Sequence, residues 1–214
     1  MDLFSIIRNI LVVISGICWS GVYADSIRTG FKQKTYCMPL FALGLNIAWE
    51  GIYSFSYFFI RKEICAQAFA NAAWFILDIF LVVTFIKFGK AEEAKSDMEK
   101  KFFIPYTILS LICCFALQIL FMYEFGLVEG EKYSAFLQNI IMSICYLYML
   151  NSRKSSRGQT MLIAWCKCIG TLTPTIIGIM ENNMLIVVTG IICFVFDALY
   201  IYFLQYVKRK EQAA

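Results

Sequence analysis

Three acidic residues lie inside apolar stretches of this chain, where a charged group is costly. Glu50 lies in GLNIAWEGIYSF, and no Lys or Arg occurs between Lys34 and Arg61. Asp78 lies in AAWFILDIF, and Asp197 lies in CFVFDALYIYFL. An ionisable side chain at the centre of a membrane span costs about 2.5–3.5 kcal/mol on insertion scales, and it is by default a candidate for function. We therefore expect Glu50 and Asp197 to be functional rather than structural.

Helical spacing places polar or aromatic residues one turn away from each of the three acids. Because residues three or four positions apart lie on one face of a helix, each acid has neighbours one turn away. Glu50 and Asp197 also fall at comparable depths, so we expect them to face one cavity from different helices. The neighbours are Asn46 and Tyr53 beside Glu50, Trp74 before Asp78, and Phe194 and Tyr200 beside Asp197.

The chemistry that suits such a cavity is acid–base catalysis on an apolar substrate. Burial in a low dielectric disfavours the charged carboxylate, and a second carboxyl nearby disfavours it further. A carboxyl that stays protonated can protonate an epoxide or an olefin, while a partner accepts a proton at the end. Aromatic faces can stabilise a cationic intermediate between the two steps.

A structural role is the alternative for each of these polar residues. For Asp78 it is as strong as the functional one, since Asp78 can pair with Lys167 in IAWCKCIGTL. Lys167 can also extend toward the cytoplasm along its apolar stem. Gln118, Gln138 and Asn139 are expected to hold helices together by hydrogen bonds.

The elements that carry these residues are predicted to be membrane-spanning helices. The chain has 214 residues, of which 60% are hydrophobic and 16% charged, and its mean hydropathy is +0.69. Spans need about 20 apolar residues. We predict an all-α, polytopic membrane protein with one domain, residues 1–214, and seven spans near 3–24, 38–60, 65–87, 103–124, 133–150, 159–180 and 184–207.

The basic residues set the orientation of these spans. Fourteen of the 19 Lys and Arg residues fall in the loops after spans one, three and five and at the C-terminus. The positive-inside rule therefore predicts an outside N-terminus and a cytoplasmic C-terminus. A net charge of +4 distributed in this way gives no indication of nucleic-acid binding. The nine cysteines include no CxxC pair and the chain has no His, so a zinc site is not expected.

Four segments together resemble a known family of enzymes. They are NIAWEGIYSF, AAWFILDIF followed by KFG, SRKSSRGQTMLIAWCKCIGTLTPT, and FVFDALYIYFL. In this order they are similar to the small seven-helix terpene cyclases of fungal indole-diterpene and meroterpenoid pathways, the paxilline-pathway cyclase type, and we expect a bacterial-type relative. The most specific pieces are the W-E of helix two, the RGQ-containing loop and the D-x-x-Y of helix seven.

The resemblance implies a reaction and a set of site residues. It implies that Glu50 and Asp197 are the catalytic acids and that a prenyl chain is cyclised, usually after protonation of a terminal epoxide, with no metal and no cofactor. The absence of DDxxD and DxDD segments agrees with this. The expected partners are an apolar terpenoid substrate and the lipid bilayer. The sequence leaves open the oligomeric state, the identity of the substrate and which acid donates the proton. Substrate-binding roles are predicted for Asn46, Trp49, Tyr53, Trp74, Asp78 and Tyr200.

Three other functions fit the sequence less well than cyclisation. A seven-helix transporter that couples protons to a small apolar solute would also use intramembrane acids, but the chain shows no repeat symmetry of the kind common in transporters. A retinal-type receptor is disfavoured because helix seven has no lysine at its middle. A purely structural membrane protein leaves two mid-span acids without a purpose.

Overall fold

The computed structural model describes residues 2–213, which fold into α-helices joined by short connections, with no β-strand among them. The all-α prediction is confirmed. Two π-helical turns, Ser56–Arg61 and Phe85–Gly89, continue the second and third helices. The helices are α1 (Leu3–Gln33), α2 (Leu40–Phe55), α3 (Ala66–Thr84), α4 (Lys90–Glu93), α5 (Asp97–Arg153), α6 (Met161–Met180) and α7 (Met184–Ala213).

Five helical stretches are long and apolar enough to cross a membrane, by length and composition: α1, α3 together with its continuation to Glu93, α5, α6 and α7. The predicted count of seven spans is not confirmed by this measure. One reason is that α2 with its π-helical continuation, Leu40–Arg61, is not among these stretches. The other is that α5, with 57 residues, contains both the fourth and the fifth predicted spans.

Helix α5 folds back on itself at Gly126. The backbone there has φ 76° and ψ 178°, a conformation open in practice only to glycine. Across the bend, Nε2 of Gln118 lies 3.0 Å from Oε1 of Gln138, whereas twenty residues of straight helix would hold them about 30 Å apart. A Cβ added to Gly130 would lie 2.6 Å from the carbonyl oxygen of Phe121. The element is therefore a hairpin of two arms, residues 97–125 and 127–153.

Pro174 lies inside α6 without ending the helix. A proline cannot bond the carbonyl four residues earlier, which here belongs to Gly170. The Oγ of Ser15 on α1 donates a hydrogen bond to that carbonyl at 2.7 Å, and Thr175 donates to the carbonyl of Thr171 at 2.8 Å. Groups freed by the proline are thus satisfied within the protein, as a low-dielectric surrounding requires.

The packing brings three helices together around each buried acid. Helix α2 contacts α3 and α5, α1 contacts α3 and α6, and α7 contacts α5 and α6. Polar and charged side chains lie in the interior of the bundle, while every long helix exposes large hydrophobic side chains. This distribution is the inverse of that of a water-soluble protein, and it suits a bundle surrounded by lipid.

Candidate active site

The amide of Asn46 is the centre of a buried acid cluster. Its Nδ2 lies 2.8 Å from Oδ2 of Asp78 on α3 and 3.2 Å from Oε1 of Glu50 on α2. Tyr23 on α1 donates its hydroxyl hydrogen to Oε1 of Glu50 and in turn accepts from Asn46. The side chains of all four residues are buried. The carboxyl that accompanies Glu50 is therefore Asp78.

Two glutamines on the α5 hairpin orient this amide. Nε2 of Gln138 donates to Oδ1 of Asn46 at 3.4 Å, and Nε2 of Gln118 donates to Oε1 of Gln138 at 3.0 Å. Because the amide oxygen of Asn46 is held toward Gln138, its NH₂ group is directed at the carboxyls. The two glutamines join helices, as the sequence predicted, and their chain of bonds ends at the acid cluster.

The acid cluster holds two carboxyls without a cation. Among residues 2–213, no Lys or Arg forms an ion pair with Glu50 or Asp78. In addition, Oε2 of Glu50 and Oδ1 of Asp78 are buried without a hydrogen-bond partner. Two ionised carboxylates placed this close in a dry interior repel each other strongly, so the arrangement favours a retained proton.

Asp197 belongs to a second cluster. Its Oδ1 lies 2.7 Å from Nζ of Lys167, which also donates to Oγ of Ser143 at 2.6 Å. Both members of the ion pair are fully buried, so Lys167 does not extend to the surface of the protein as its apolar stem would allow. The predicted pairing of Lys167 with Asp78 is wrong because α6 packs against α7 and α1, while Asp78 faces α2.

The aromatic residues near Asp197 divide between interior and surface. Tyr200 is fully buried, and its ring centre lies 5.4 Å from that of Tyr146 on α5. Neither hydroxyl has a hydrogen-bond partner among the described residues. Phe194 is 46% exposed, so it does not enclose Asp197 as its spacing predicted. Helical spacing alone does not distinguish the lipid-facing neighbour from the buried one.

Trp74, the predicted neighbour of Asp78, covers the acid cluster on the α1 side. Its ring is stacked on that of Tyr23 with 6.2 Å between centroids and 22° between planes. Its Nε1 donates to Oγ of Ser20 at 3.1 Å. Trp74 therefore contacts the phenol that donates to Glu50.

Trp49 and Tyr53 turn toward the α5 hairpin instead of the acids. Nε1 of Trp49 donates to the carbonyl of Glu131 at 2.9 Å, and its ring lies 5.3 Å from that of Tyr53. The carboxylate of Glu131 pairs with Arg61 at 2.9 Å. Tyr53 makes no hydrogen bond to Glu50 in the described structure, because the next turn of α2 faces this separate cluster.

Two cavities of the described structure lie away from the acids. One of about 40 Å³ lies between α2 and the α5 hairpin and includes Gln118 and Gln138 in its lining. A larger one of about 340 Å³ lies near Glu93 and Phe103, close to the start of α5. Neither includes Glu50 or Asp197 in its lining, and the two acids are buried in separate clusters.

Sequence reasoning missed three polar residues of these clusters: Tyr23, Ser143 and Tyr146. Each is a single hydroxyl residue within a predicted span, and nothing in its local sequence shows which helix it faces. Among residues 2–213, no three His, Cys, Asp or Glu side chains come together in a group that could hold a metal ion.

Comparison with known proteins gives a consistent result. The profile of the Pyr4-like transmembrane terpene cyclases matches residues 3–210. The Pyr4-family terpene cyclase mfmH of Annulohypoxylon moriforme is 28% identical over 174 residues, covering 80% of this chain and 69% of that protein. The terpene cyclase pyr4 of Aspergillus fumigatus is 26% identical over 212 residues, covering 94% and 86%.

A third relative, the terpene cyclase macJ of Penicillium terrestre, is 26% identical over 164 residues. The match covers 74% of this chain and 61% of that protein, so the chain spans less than two thirds of this relative. All three relatives come from fungi, and they do not support the expectation of a bacterial-type relative.

Proposed function

This chain belongs to the Pyr4-like transmembrane terpene cyclases, and on that basis we propose that it cyclises a prenyl or terpenoid chain by protonation from the Glu50–Asp78 pair. The observation that carries the proposal is a pair of buried carboxyls held by one amide without a cation. The protein is an integral membrane enzyme. Its substrate class, its acid and its base are the subjects of the proposal.

The acid is the Glu50–Asp78 pair rather than either residue alone. Asn46 reaches both carboxyls, but its amide has only two hydrogens for three acceptor groups. A proton retained between the carboxyls lowers their repulsion, and the free oxygens Oε2 of Glu50 and Oδ1 of Asp78 leave a position from which it can be donated. Strongly interacting carboxyls titrate as a unit, so the proton belongs to the pair.

The reaction starts and ends with proton transfer. The acid pair protonates the oxygen of a terminal epoxide, and the carbon–oxygen bond of the ring breaks as the nearest double bond supplies its electrons to the carbon. With an olefin, the proton adds to one alkene carbon. Further double bonds close further rings, and the last cation loses a proton to form a new alkene. One proton is gained and one is lost, so the product is an isomer of the substrate.

Asp197 is the acceptor of the final proton in this proposal. Its partner Lys167, at 2.7 Å, stabilises the carboxylate form, which cannot donate a proton. The rings of Tyr146 and Tyr200 lie beside it and present aromatic faces to a cation. The two sequence-predicted acids thus take opposite roles, with Glu50 in the acid pair and Asp197 as the base.

The substrate has to enter between helices, because the acids lie in closely packed surroundings. We assign Trp74 and Asn46 to the wall beside the acid pair and Tyr200 to the wall beside the base. Trp49 and Tyr53 lie one turn farther along α2 and line the path toward the α5 hairpin. The chain acts as one domain, residues 1–214, with its N-terminus outside and its C-terminus in the cytoplasm.

The test is turnover of a terpenoid epoxide by the full-length protein in lipid nanodiscs, with products identified by mass spectrometry. Glu50→Gln and Asp78→Asn keep the size of each side chain but remove the proton, so we expect each to lower the rate by about 10²–10⁴-fold. Glu124→Gln is the matched control, because Glu124 is exposed and forms no ion pair in the described structure. Full turnover by both variants of the acid pair would refute the proposal.

A further inference from the structure

Lys167 is a fully buried lysine whose ammonium group donates hydrogen bonds to two side chains. Nζ donates to Oδ1 of Asp197 at 2.7 Å and to Oγ of Ser143 at 2.6 Å. The three residues come from α6, α7 and the second arm of α5. A lysine in an apolar helix usually extends its head group to the membrane surface, and this one turns inward instead.

Helix packing alone is a weak explanation for an ion pair in this position. Replacing a buried pair by apolar residues of similar size is often neutral or stabilising, so burial of the pair is weak evidence for a role in stability. The α6–α7 contact also has other sources of close packing, such as Gly190, where an added Cβ would collide with Thr175. The charge on Lys167 therefore calls for another explanation.

The environment of Asp197 makes Lys167 its dominant electrostatic partner. The other titratable groups that face this pair are the thiols of Cys168 and Cys193 and the phenols of Tyr146 and Tyr200. Thiols and phenols are ordinarily neutral near pH 7. Of the two carboxylate oxygens, Oδ1 is held by Lys167, while Oδ2 is buried without a hydrogen-bond partner.

We propose that Lys167 is a positioning residue that keeps Asp197 ionised to take the final proton of the reaction and then drives that proton off again. The inference rests on the proposed function. A C–H bond next to the last cation breaks, its electron pair forms the new alkene, and the proton bonds to Oδ2 of Asp197. The neutral acid then leaves the Lys167 ammonium without its counter-charge, which favours transfer of the proton from Asp197 to water. The acid pair takes one proton from water, and the starting state is restored.

The test compares Lys167→Met with Lys87→Met, which replaces an exposed lysine in the π-helical continuation of α3. In Lys167→Met we expect Asp197 to be protonated in the resting enzyme. Cyclic alkene formed at neutral pH then falls about 100-fold or more, since a proton acceptor contributes about 10²–10⁴-fold. Products that end by capture of water increase, and alkene formation recovers as the pH is raised.

The control separates loss of this particular charge from loss of any lysine. Lys87→Met removes an exposed ammonium group outside the Asp197 cluster, so its pH profile and product ratio should match those of the wild type. A folded Lys167→Met enzyme with the wild-type pH profile and product ratio would overturn the inference. A failure of the proposed function itself would appear separately, as full turnover by Glu50→Gln and Asp78→Asn.

A second measurement does not depend on the folding of Lys167→Met. The infrared difference spectrum between the wild type and Asp197→Asn at neutral pH reports the protonation state of Asp197 directly. The inference predicts a carboxylate band in the wild type that the variant lacks. A band from a protonated carboxylic acid at that position would overturn it.

Discussion

Asn46→Leu is the substitution that most directly tests the acid cluster, because this one amide connects α2 to α1, α3 and the α5 hairpin. Leucine has a similar shape but no polar atoms. The change removes the donors to Asp78 at 2.8 Å and to Glu50 at 3.2 Å, and the acceptor for Gln138 at 3.4 Å. Glu50 keeps the hydrogen bond from Tyr23, so two groups are left without a partner: the carboxyl of Asp78 and the amide of Gln138.

The magnitude follows from those two groups. A buried polar group left unpaired costs about 1–3 kcal/mol, so we expect Asn46→Leu to lower the free energy of unfolding by about 2–6 kcal/mol. The Glu50–Asp78 pair also loses the amide that positions both carboxyls, and misplacement of a reacting group by about 1 Å can lower the rate about 100-fold. We therefore expect cyclisation to slow by about that factor.

The assay is a denaturant titration of the protein in mixed micelles, which measures the free energy of unfolding. Turnover is measured on the same samples. Asn139→Leu is the matched control, because its side-chain oxygen has no hydrogen-bond partner and it lies next to Gln138 on the same arm of α5. We expect the control to change the free energy of unfolding by no more than about 0.5 kcal/mol. Equal effects of the two substitutions on stability and rate would refute the role given to Asn46.

Two further predictions concern the polar face where the RGQ-containing loop lies. Arg153 pairs with Glu92 at 2.6 Å, donates to the carbonyls of Tyr36 and Arg157, and lies 4.0 Å over the ring of Tyr36. Because a lysine cannot make all of these contacts, Arg153→Lys should lower the free energy of unfolding by about 1–3 kcal/mol, although the charge is retained. The same denaturant titration in micelles would measure this change. Burial raises the pKa of the Cys37 thiol to about 12 and shields the side chain, so alkylation of Cys37 by a maleimide should be very slow at pH 8 in the folded protein. Rapid labelling at pH 8, measured by mass spectrometry, would contradict the buried placement.

The sequence predicted single helices better than their arrangement. Apolar runs located the helices, and the cost of a mid-span charge identified Glu50, Asp78, Lys167 and Asp197 as the residues to explain. Packing between helices decides which helix faces which, and this packing has no local signature in the sequence. The predicted partners of Glu50 and Asp78 are therefore wrong. Depth suggested that Glu50 faces Asp197, whereas the packing of α2 on α3 places it beside Asp78.

The sequence likewise indicates polar partners on the same helix but not those on other helices. Asn46 was found because it shares a helix with Glu50, one turn away. Tyr23 donates to the same carboxyl, but it lies 27 positions away in the chain, on another helix. The bend at Gly126 was also missed as a single-residue turn, since the sequence around it reads only as a boundary between two apolar runs.

The single-residue turn at Gly126 has a consequence for how the protein is made and handled. With no loop between the arms of α5, there is no flexible segment there to accept an epitope, a protease site or a fused domain. The two arms can bond to each other as soon as both have been synthesised, since Gln118 and Gln138 lie on either side of the bend. We expect the arms to enter the bilayer together as one unit during biogenesis. We also expect insertions at this turn to abolish production of the protein, while extensions of the C-terminus are tolerated.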